Sequence, residues 1–421
     1  MRAHGAIEAV WRIESTRIIA GVTRIVRDVG LAEELAQEAF VAALEQWPES
    51  GVPDNPGAWL MATAKHRAID RLRRSKVLER KTEELGHELS VRGGGAEEPD
   101  WDRAIDNHIE DDVLRLIFIC CHPVLSTPAR IALTLRMVGG LTTDEIARAF
   151  LVSDATVAQR IVRAKRTLTE AHVPFELPGR DELSARLSSV LEVIYLVFNE
   201  GYSATGGDEW LRPGLCEDAL RLGRILAGLM PEEPEVHGLV ALMEIQGSRM
   251  RARVGPAGEP VLLLDQDRAR WDYVLVRRGL AALDRAEALG APLGPYALQA
   301  AIAACHARAR TADETDWIRI AALYDALSQV APSPVVDLNR AVALGMAFGA
   351  AVGLEIVDHL LEEPALDGYH LLPAARGDLL AKLGRFDEAS KEFERAASLT
   401  RNGRERALLL DRAARPARTA G

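Results

Sequence analysis

Residues 141–168 read LTTDEIARAFLVSDATVAQRIVRAKRTL. Their spacing predicts a helix, a tight turn and a second helix. Thr142 or Thr143 is placed to cap the first helix, with Ile146 and Phe150 turned inward. Leu151, Val152 and Ser153 form the turn, and Ser153 caps the second helix. In that helix Val157, Ile161, Ala164 and Leu168 recur at i, i+4, i+7 and i+11, a single narrow apolar stripe. Thr156, Gln159, Arg163 and Arg166 point away from it. A helix anchored by such a stripe can lie in the major groove of DNA, with its outward residues at base edges and phosphates. An ordinary αα-hairpin with a basic outer face has the same pattern, so this segment alone leaves both readings open.

The rest of the chain sets the class. It has 421 residues, of which 48% are hydrophobic and only 5% aromatic. Strand-like alternation is scarce while Ala, Leu and Arg abound, so an all-α protein of roughly two to four domains is expected. The four cysteines, Cys120, Cys121, Cys216 and Cys305, form neither a Cys-x-x-Cys pair nor a zinc spacing, which points to a reducing compartment. The N-terminus has no apolar core of signal-peptide length, and the longest apolar run, 341–354, is too short to span a bilayer. A cytoplasmic protein with no membrane partner, no metal and no cofactor is expected.

Charge is segregated. The net charge is −11, yet Lys65 to Lys81 carry eight Lys/Arg against two acids. This run lies in NPGAWLMATAKHRAIDRLRRSK, residues 55–76, where Asn55 and Pro56 make an N-cap and first turn. Met61, Ala68, Ile69 and Leu72 share one side of the predicted helix, and Arg67, Arg71 and Arg74 form a ridge on the other, with Asp70 beside them. Upstream, residues 30–47 predict a helix with Leu31, Leu35, Phe40 and Leu44 near one stripe and Glu33, Glu34, Gln37 and Glu38 largely elsewhere. The segment WPESGVPDNPG, 47–57, is expected to break the chain between the two. Downstream, 82–112 holds eleven acids against Arg92 and Arg103, and 83–108 reads as a flexible acidic linker.

Together these segments resemble the extracytoplasmic-function (ECF) sigma factors, promoter-recognition subunits of bacterial RNA polymerase. GLAEELAQEAFVAAL resembles their polymerase-binding helix, through Ala32, Glu33, Glu34, Gln37 and Phe40. WLMATAKHRAIDRLRR resembles the helix that opens and reads the minus-ten element, through Trp59, Leu60, Ala68, Asp70, Arg71 and Arg73. The helix–turn–helix resembles the minus-35 module. The resemblance covers about residues 1–172. It implies core RNA polymerase as a partner of Glu33, Glu34 and Gln37. It implies promoter DNA as a partner of Lys65, Arg67, Arg71, Arg73 and Arg74, and of Thr156, Gln159, Arg160, Arg163 and Arg166. Three departures stand out. Glu34 stands where Asp is usual, which preserves the charge. Leu151 replaces the usual turn Gly, and Ala158 replaces a Lys, which removes one phosphate contact and leaves the promoter sequence open.

About 240 residues lie beyond this region. Similar pieces recur every 39 residues, CHARA at 305, LGMAF at 344 and LGRFDEA at 383. The last resembles a tetratricopeptide repeat, through Leu383, Gly384, Phe386, Ala389, Phe393 and Ala396. A helical-repeat domain with a protein or small-ligand partner is therefore expected. Asn199, Glu200, Tyr202 and Asp208 in FNEGYSATGGDEW lack phosphate-loop spacing and a partner His, so no catalytic residue is assigned. Asp265, Asp267, Arg268, Arg270 and Asp272 suggest a buried ion-pair network, and Cys120, Cys121 and His122 a buried turn.

The expected organisation is a sigma region-2-like domain (1–82), the acidic linker (83–108), a region-4-like domain (109–172) and a helical-repeat regulatory domain (181–421). The expected function is that of an alternative sigma factor, not an enzyme. A helix–turn–helix regulator or scaffold with a repeat domain is the competing reading. An enzyme housed in the C-terminal part is a third.

Overall fold

The computed structural model describes residues 2–86, 109–150, 152–203, 211–256 and 258–414. These residues are helical, apart from turns and one isolated bridge between Val254 and Pro260. The chain divides into two compact units, Met1–Val193 and Ile194–Gly421.

In the first unit come α1 (Arg2–Val26), α2 (Val29–Ser50) and α3 (Pro56–Gly86), then α4 (Ile109–Cys120), α5 (Thr127–Met137), α6 (Thr143–Phe150) and α7 (Asp154–Glu170). Helix α8 (Arg180–Tyr202) comes next, and the division between units falls within it. Helices α1, α2 and α3 pack on one another; α4 packs on α1, and α5, α6 and α7 pack together. The second unit holds α9 (Pro213–Leu229), α10 (Pro234–Gly247), α11 (Tyr273–Ala288), α12 (Pro295–Arg308), α13 (Trp317–Val330), α14 (Pro334–Phe348), α15 (Ala350–Leu360), α16 (Leu371–Lys382), α17 (Phe386–Leu399) and α18 (Gly403–Ala414). From α12 onward each helix packs on the next.

Three boundaries differ from expectation. Helix α2 does not stop at Trp47 but runs through Pro48 to Ser50. Pro48 has no amide to donate and its ring crowds the turn before it, but Trp47, 2% exposed and edge-on to Trp59 at 5.3 Å, pins the last turn. Gly51, at φ 84°, then ends it with its amide on the Trp47 carbonyl, a backbone that side chains disfavour. Helix α3 continues past 82 to Gly86; the rest of the acidic linker, 87–108, lies outside the described residues. Residues 181–193 belong with the first unit. Ser189 donates to the Cys121 carbonyl (2.7 Å), Arg186 to that of Phe118 (3.0 Å), and Arg130 pairs with Glu192 (3.1 Å).

Small residues set the packing of the second unit. A Cβ at Gly353 would lie 2.7 Å from the Ala341 carbonyl oxygen and 2.9 Å from the Gly345 Cα, so α14 and α15 approach at backbone distance. A Cβ at Gly377 would press into the Phe393 ring at 2.7 Å. Gly384, at φ 75°, turns the chain between α16 and α17.

Candidate functional site

The helix–turn–helix forms with the expected faces. Thr142 and Glu145 cap α6 reciprocally: the Glu145 amide donates to Thr142 Oγ1 (3.2 Å) and the Thr142 amide to Glu145 Oε2 (2.8 Å), a capping box. Ser153 caps α7 through the Thr156 amide (3.2 Å). The buried residues of α7 are Val157, Ile161, Ala164 and Leu168. Ile146 is buried and Phe150 half-buried. Leu151 lies outside the described residues. Gln159, Arg163 and Arg166 are exposed, and Thr156 and Arg160 half-buried. Arg166 pairs with Glu170 at 2.6 Å, an exposed contact that a phosphate can replace at small cost.

On α3, Asn55 caps the first turn through the Ala58 amide (3.1 Å). Leu60, Ala64 and Ala68 are buried, while Arg71, Arg73 and Arg74 are exposed and Lys65 and Arg67 half-buried. Arg67 reaches Glu38 of α2 at 2.7 Å. Of the apolar side expected from the sequence only Ala68 is buried; Met61, Ile69 and Leu72 are half-buried, and Leu60 and Ala64 complete the buried back of the ridge in their place.

Helix α2 departs from its expected pattern. Its buried stripe is made mostly of small residues, Ala32, Ala36, Ala39, Ala42 and Ala43, with Leu35, and it includes Glu33. Leu31, Phe40 and Leu44 are only half-buried; Phe40 packs on Trp11 with ring centroids 4.9 Å apart and the rings tilted by 33°. The Glu33 side chain is 7% exposed. Arg136 of α5 bonds its Oε1 at 2.7 Å, Gln37 donates to the same oxygen at 2.9 Å, and Lys165 of α7 holds its Oε2. A buried carboxylate requires such partners. Nearby, Thr169 of α7 donates to Asp28 at 2.8 Å. Of the three residues implied as polymerase contacts, Glu34 alone is exposed. Arg136 and Lys165 were not singled out from sequence. Lys165 sits directly after Ala164 of the α7 stripe, but its acid partner lies 132 residues away, beyond any local pattern.

Cys120 and Cys121 are buried, but the turn they enter is not: His122 is half-buried and Pro123 and Val124 are exposed. Cys121 Sγ contacts Thr134 Oγ1 at 3.3 Å, and His122 Nδ1 accepts from the Val124 amide at 3.1 Å. Burial pushes the Cys121 thiol up to about 11 and Cys120 well above its usual value, so both stay protonated and poor as ligands. In the second unit, Glu200 pairs with Arg212, while Asp208 lies outside the described residues. Among the described residues, the expected network at 265–272 is not one of ion pairs. Asp267 caps the Ala269 amide and Asp272 caps α11, while Arg270 and Arg268 donate to backbone carbonyls. Short side chains beside helix starts bond the free amides there before any distant partner.

Comparison with known proteins fits these surfaces. Residues 13–77 match sigma-70 region 2, and residues 115–168 match sigma-70 region 4. Residues 186–287 match a family of unknown function, DUF6596. An uncharacterized protein of Rhizobium meliloti is 46% identical over 392 residues, spanning 93% of this chain and 91% of that protein. The ECF RNA polymerase sigma factor SigK of Mycobacterium bovis is 32% identical over 158 residues, 36% of this chain and 78% of SigK. SigK of Mycobacterium sp. (strain KMS) is 30% identical over 161 residues, 37% and 77% respectively. No solved structure gives a significant match. The chain belongs to the ECF sigma factor family, with a C-terminal DUF6596 extension. It is thus a transcription factor of RNA polymerase rather than an enzyme, and its sigma domains imply binding to core polymerase and promoter DNA. Among the described residues, no helix is long and apolar enough to cross a membrane.

Proposed function

We propose that this sigma factor acts in the cytoplasm, binding core polymerase through Glu33, Glu34 and Gln37 of α2, and that its described form is closed. Glu33, tied to Arg136 and Lys165, is the observation that carries this reading. A polymerase that takes Glu33 must displace α5 and α7 from it. Lys65, Arg67, Arg71, Arg73 and Arg74 then hold promoter phosphates and the opened strand near the minus-ten element. Thr156, Gln159, Arg160, Arg163 and Arg166 read the minus-35 element. Phosphate contacts position the protein while base contacts specify the site. Neutralising Arg71 or Arg74 should flatten the dependence of log affinity on log salt by about one unit.

The C-terminal part is, on this reading, a helical-repeat domain that regulates the sigma domains through a protein or small ligand. Two observations support it: α12 and α14 begin at prolines 39 residues apart, 295 and 334, and a cavity of about 470 Å³ opens beside α14, α16 and α18. Leu264, Val342, Met346, Leu371, Leu379 and Leu409 line it.

Run-off transcription with purified core polymerase tests the reading. Specific transcripts should require the full chain, and a chain truncated after Val193 should differ in activity. Transcription no better than core alone would refute the sigma assignment. Equal activity of both chains, in vitro and in cells, would remove the regulatory role.

A further inference from the structure

Five side chains of the second unit form a row in which cation and aromatic ring alternate: Arg253, Tyr202, Arg249, Trp271 and Arg268. The guanidinium carbon of Arg253 is 3.8 Å from the Tyr202 ring centroid, and that of Arg268 is 4.8 Å from Trp271. Between them Arg249 lies 5.8 Å from both rings. Arg249 is 8% exposed, its Nε is buried without a hydrogen-bond partner, and among the described residues it forms no ion pair. Arg268 donates to the carbonyls of His306 and Ala309, but its buried Nη2 has no partner, and it too forms no ion pair there. Around them, the buried polar atoms Trp271 Nε1 and His306 Nδ1 are likewise unpartnered.

The rings account for only part of this. An aromatic face attracts a cation but offers no lone pair to an N–H and no net negative charge. Buried guanidiniums are ordinarily paired. Here Arg249 and Arg268 are close enough to disfavour charge on a common neighbour. His306 is pushed down to about 4 by burial and then by these two guanidiniums, so the imidazole beside them is neutral. The unpartnered atoms are mostly donors, and the planar guanidinium fork fits the oxygens of carboxylate or phosphate.

We propose that Arg249 and Arg268, with Arg253, Trp271 and His306 around them, form a binding site for a small oxyanion of two or more negative charges. The shared chemistry is that of a phosphate or a polycarboxylate, and the site stands independently of the sigma activity. The competing explanation is a cation–π row that serves packing alone.

The test uses the full chain, titrated by calorimetry and followed by thermal melting, with inorganic phosphate and with citrate, each against sodium chloride of equal ionic strength. Saturable binding of at least one probe is expected, and which one binds names the source. Melting should rise by on the order of 5 °C at about a hundredfold excess over Kd. Arg249→Met should abolish the effect, yet melt in chloride no lower than the parent, since an unpaired buried charge is replaced by an apolar chain. Arg268→Lys keeps the charge but loses the fork and should weaken binding by about tenfold or more. No saturable binding of either probe overturns the proposal, as does unchanged affinity in both variants. So does a fall in melting of Arg249→Met in chloride with no anion effect in the parent.

Discussion

Lys165→Met isolates the closed form without touching α2. Lys165 lies on the inward side of α7, and its stem passes Gly30, whose added Cβ would meet Lys165 Cδ at 3.4 Å. Methionine keeps most of that stem and loses the ammonium. Glu33 would retain Arg136 and Gln37 on Oε1 but lose its partner on Oε2. A charge-assisted hydrogen bond to a buried carboxylate contributes about 1.5–3 kcal/mol. The Lys165 side chain is 21% exposed, so part of that is screened, and about 1–2 kcal/mol is the working figure. That cost falls on the closed form, because an open form has no such pair. Since each 1.4 kcal/mol is tenfold, the opening equilibrium should rise about 5- to 30-fold. Polymerase affinity should rise by the same factor while the closed form dominates. The assay is fluorescence anisotropy of labelled chain against core polymerase at fixed salt, with circular dichroism to confirm that the helices persist. Unchanged or weaker affinity, with helicity intact, would refute the reasoning, because then the Glu33 cluster does not compete with polymerase.

Other expectations concern separate parts. Gln159→Ala and Arg163→Ala should reorder a library of minus-35 variants, by about 1–3 kcal/mol at any base each contacts well; an untouched ranking would remove the assignment. Gly353→Ala drives a methyl against the Ala341 carbonyl and should destabilise the second unit by about 1–3 kcal/mol in urea unfolding, even though alanine favours helices. His306 supplies the pH dependence. Its folded pKa, about 4, lies below the ordinary 6.5, so the unfolded chain binds the proton first as pH falls. Stability from keeping it neutral is full above about pH 6.5 and is lost toward pH 4, at up to about 1.4 kcal/mol per pH unit. Urea midpoints across that range should flatten in His306→Asn.

The features legible in the sequence were those that repeat locally. All four stripe residues of α7 are its buried ones, and the caps at Asn55, Thr142 and Ser153 bond as their positions require. These features depend on neighbours within one or two turns. The burial of Glu33 is not legible in the sequence, because α2 buries alanines instead of its larger residues, which shifts the inward face by a fraction of a turn. Its cations come from 103 and 132 residues away. The region at 265–272 failed for a similar reason. Alternating acids and arginines look like ion pairs, but Asp267 and Asp272 cap helix starts, Arg268 meets a ring and carbonyls, and Arg270 a carbonyl.

The place of residues 181–193 bears on how such a gene can be cut and joined. Anyone exchanging sigma halves between relatives would naturally choose the proline-bearing stretch at 173–180 as the seam. A graft made there would discard the hydroxyl of Ser189 and the guanidinium of Arg186, which occupy the Cys121 and Phe118 carbonyls at the end of α4, and the Glu192 carboxylate that pairs with Arg130. The donor half would arrive with those groups unpartnered, and a loss of stability would be mistaken for a regulatory effect. A chimera that carries its own α8 as far as Val193 avoids that confusion.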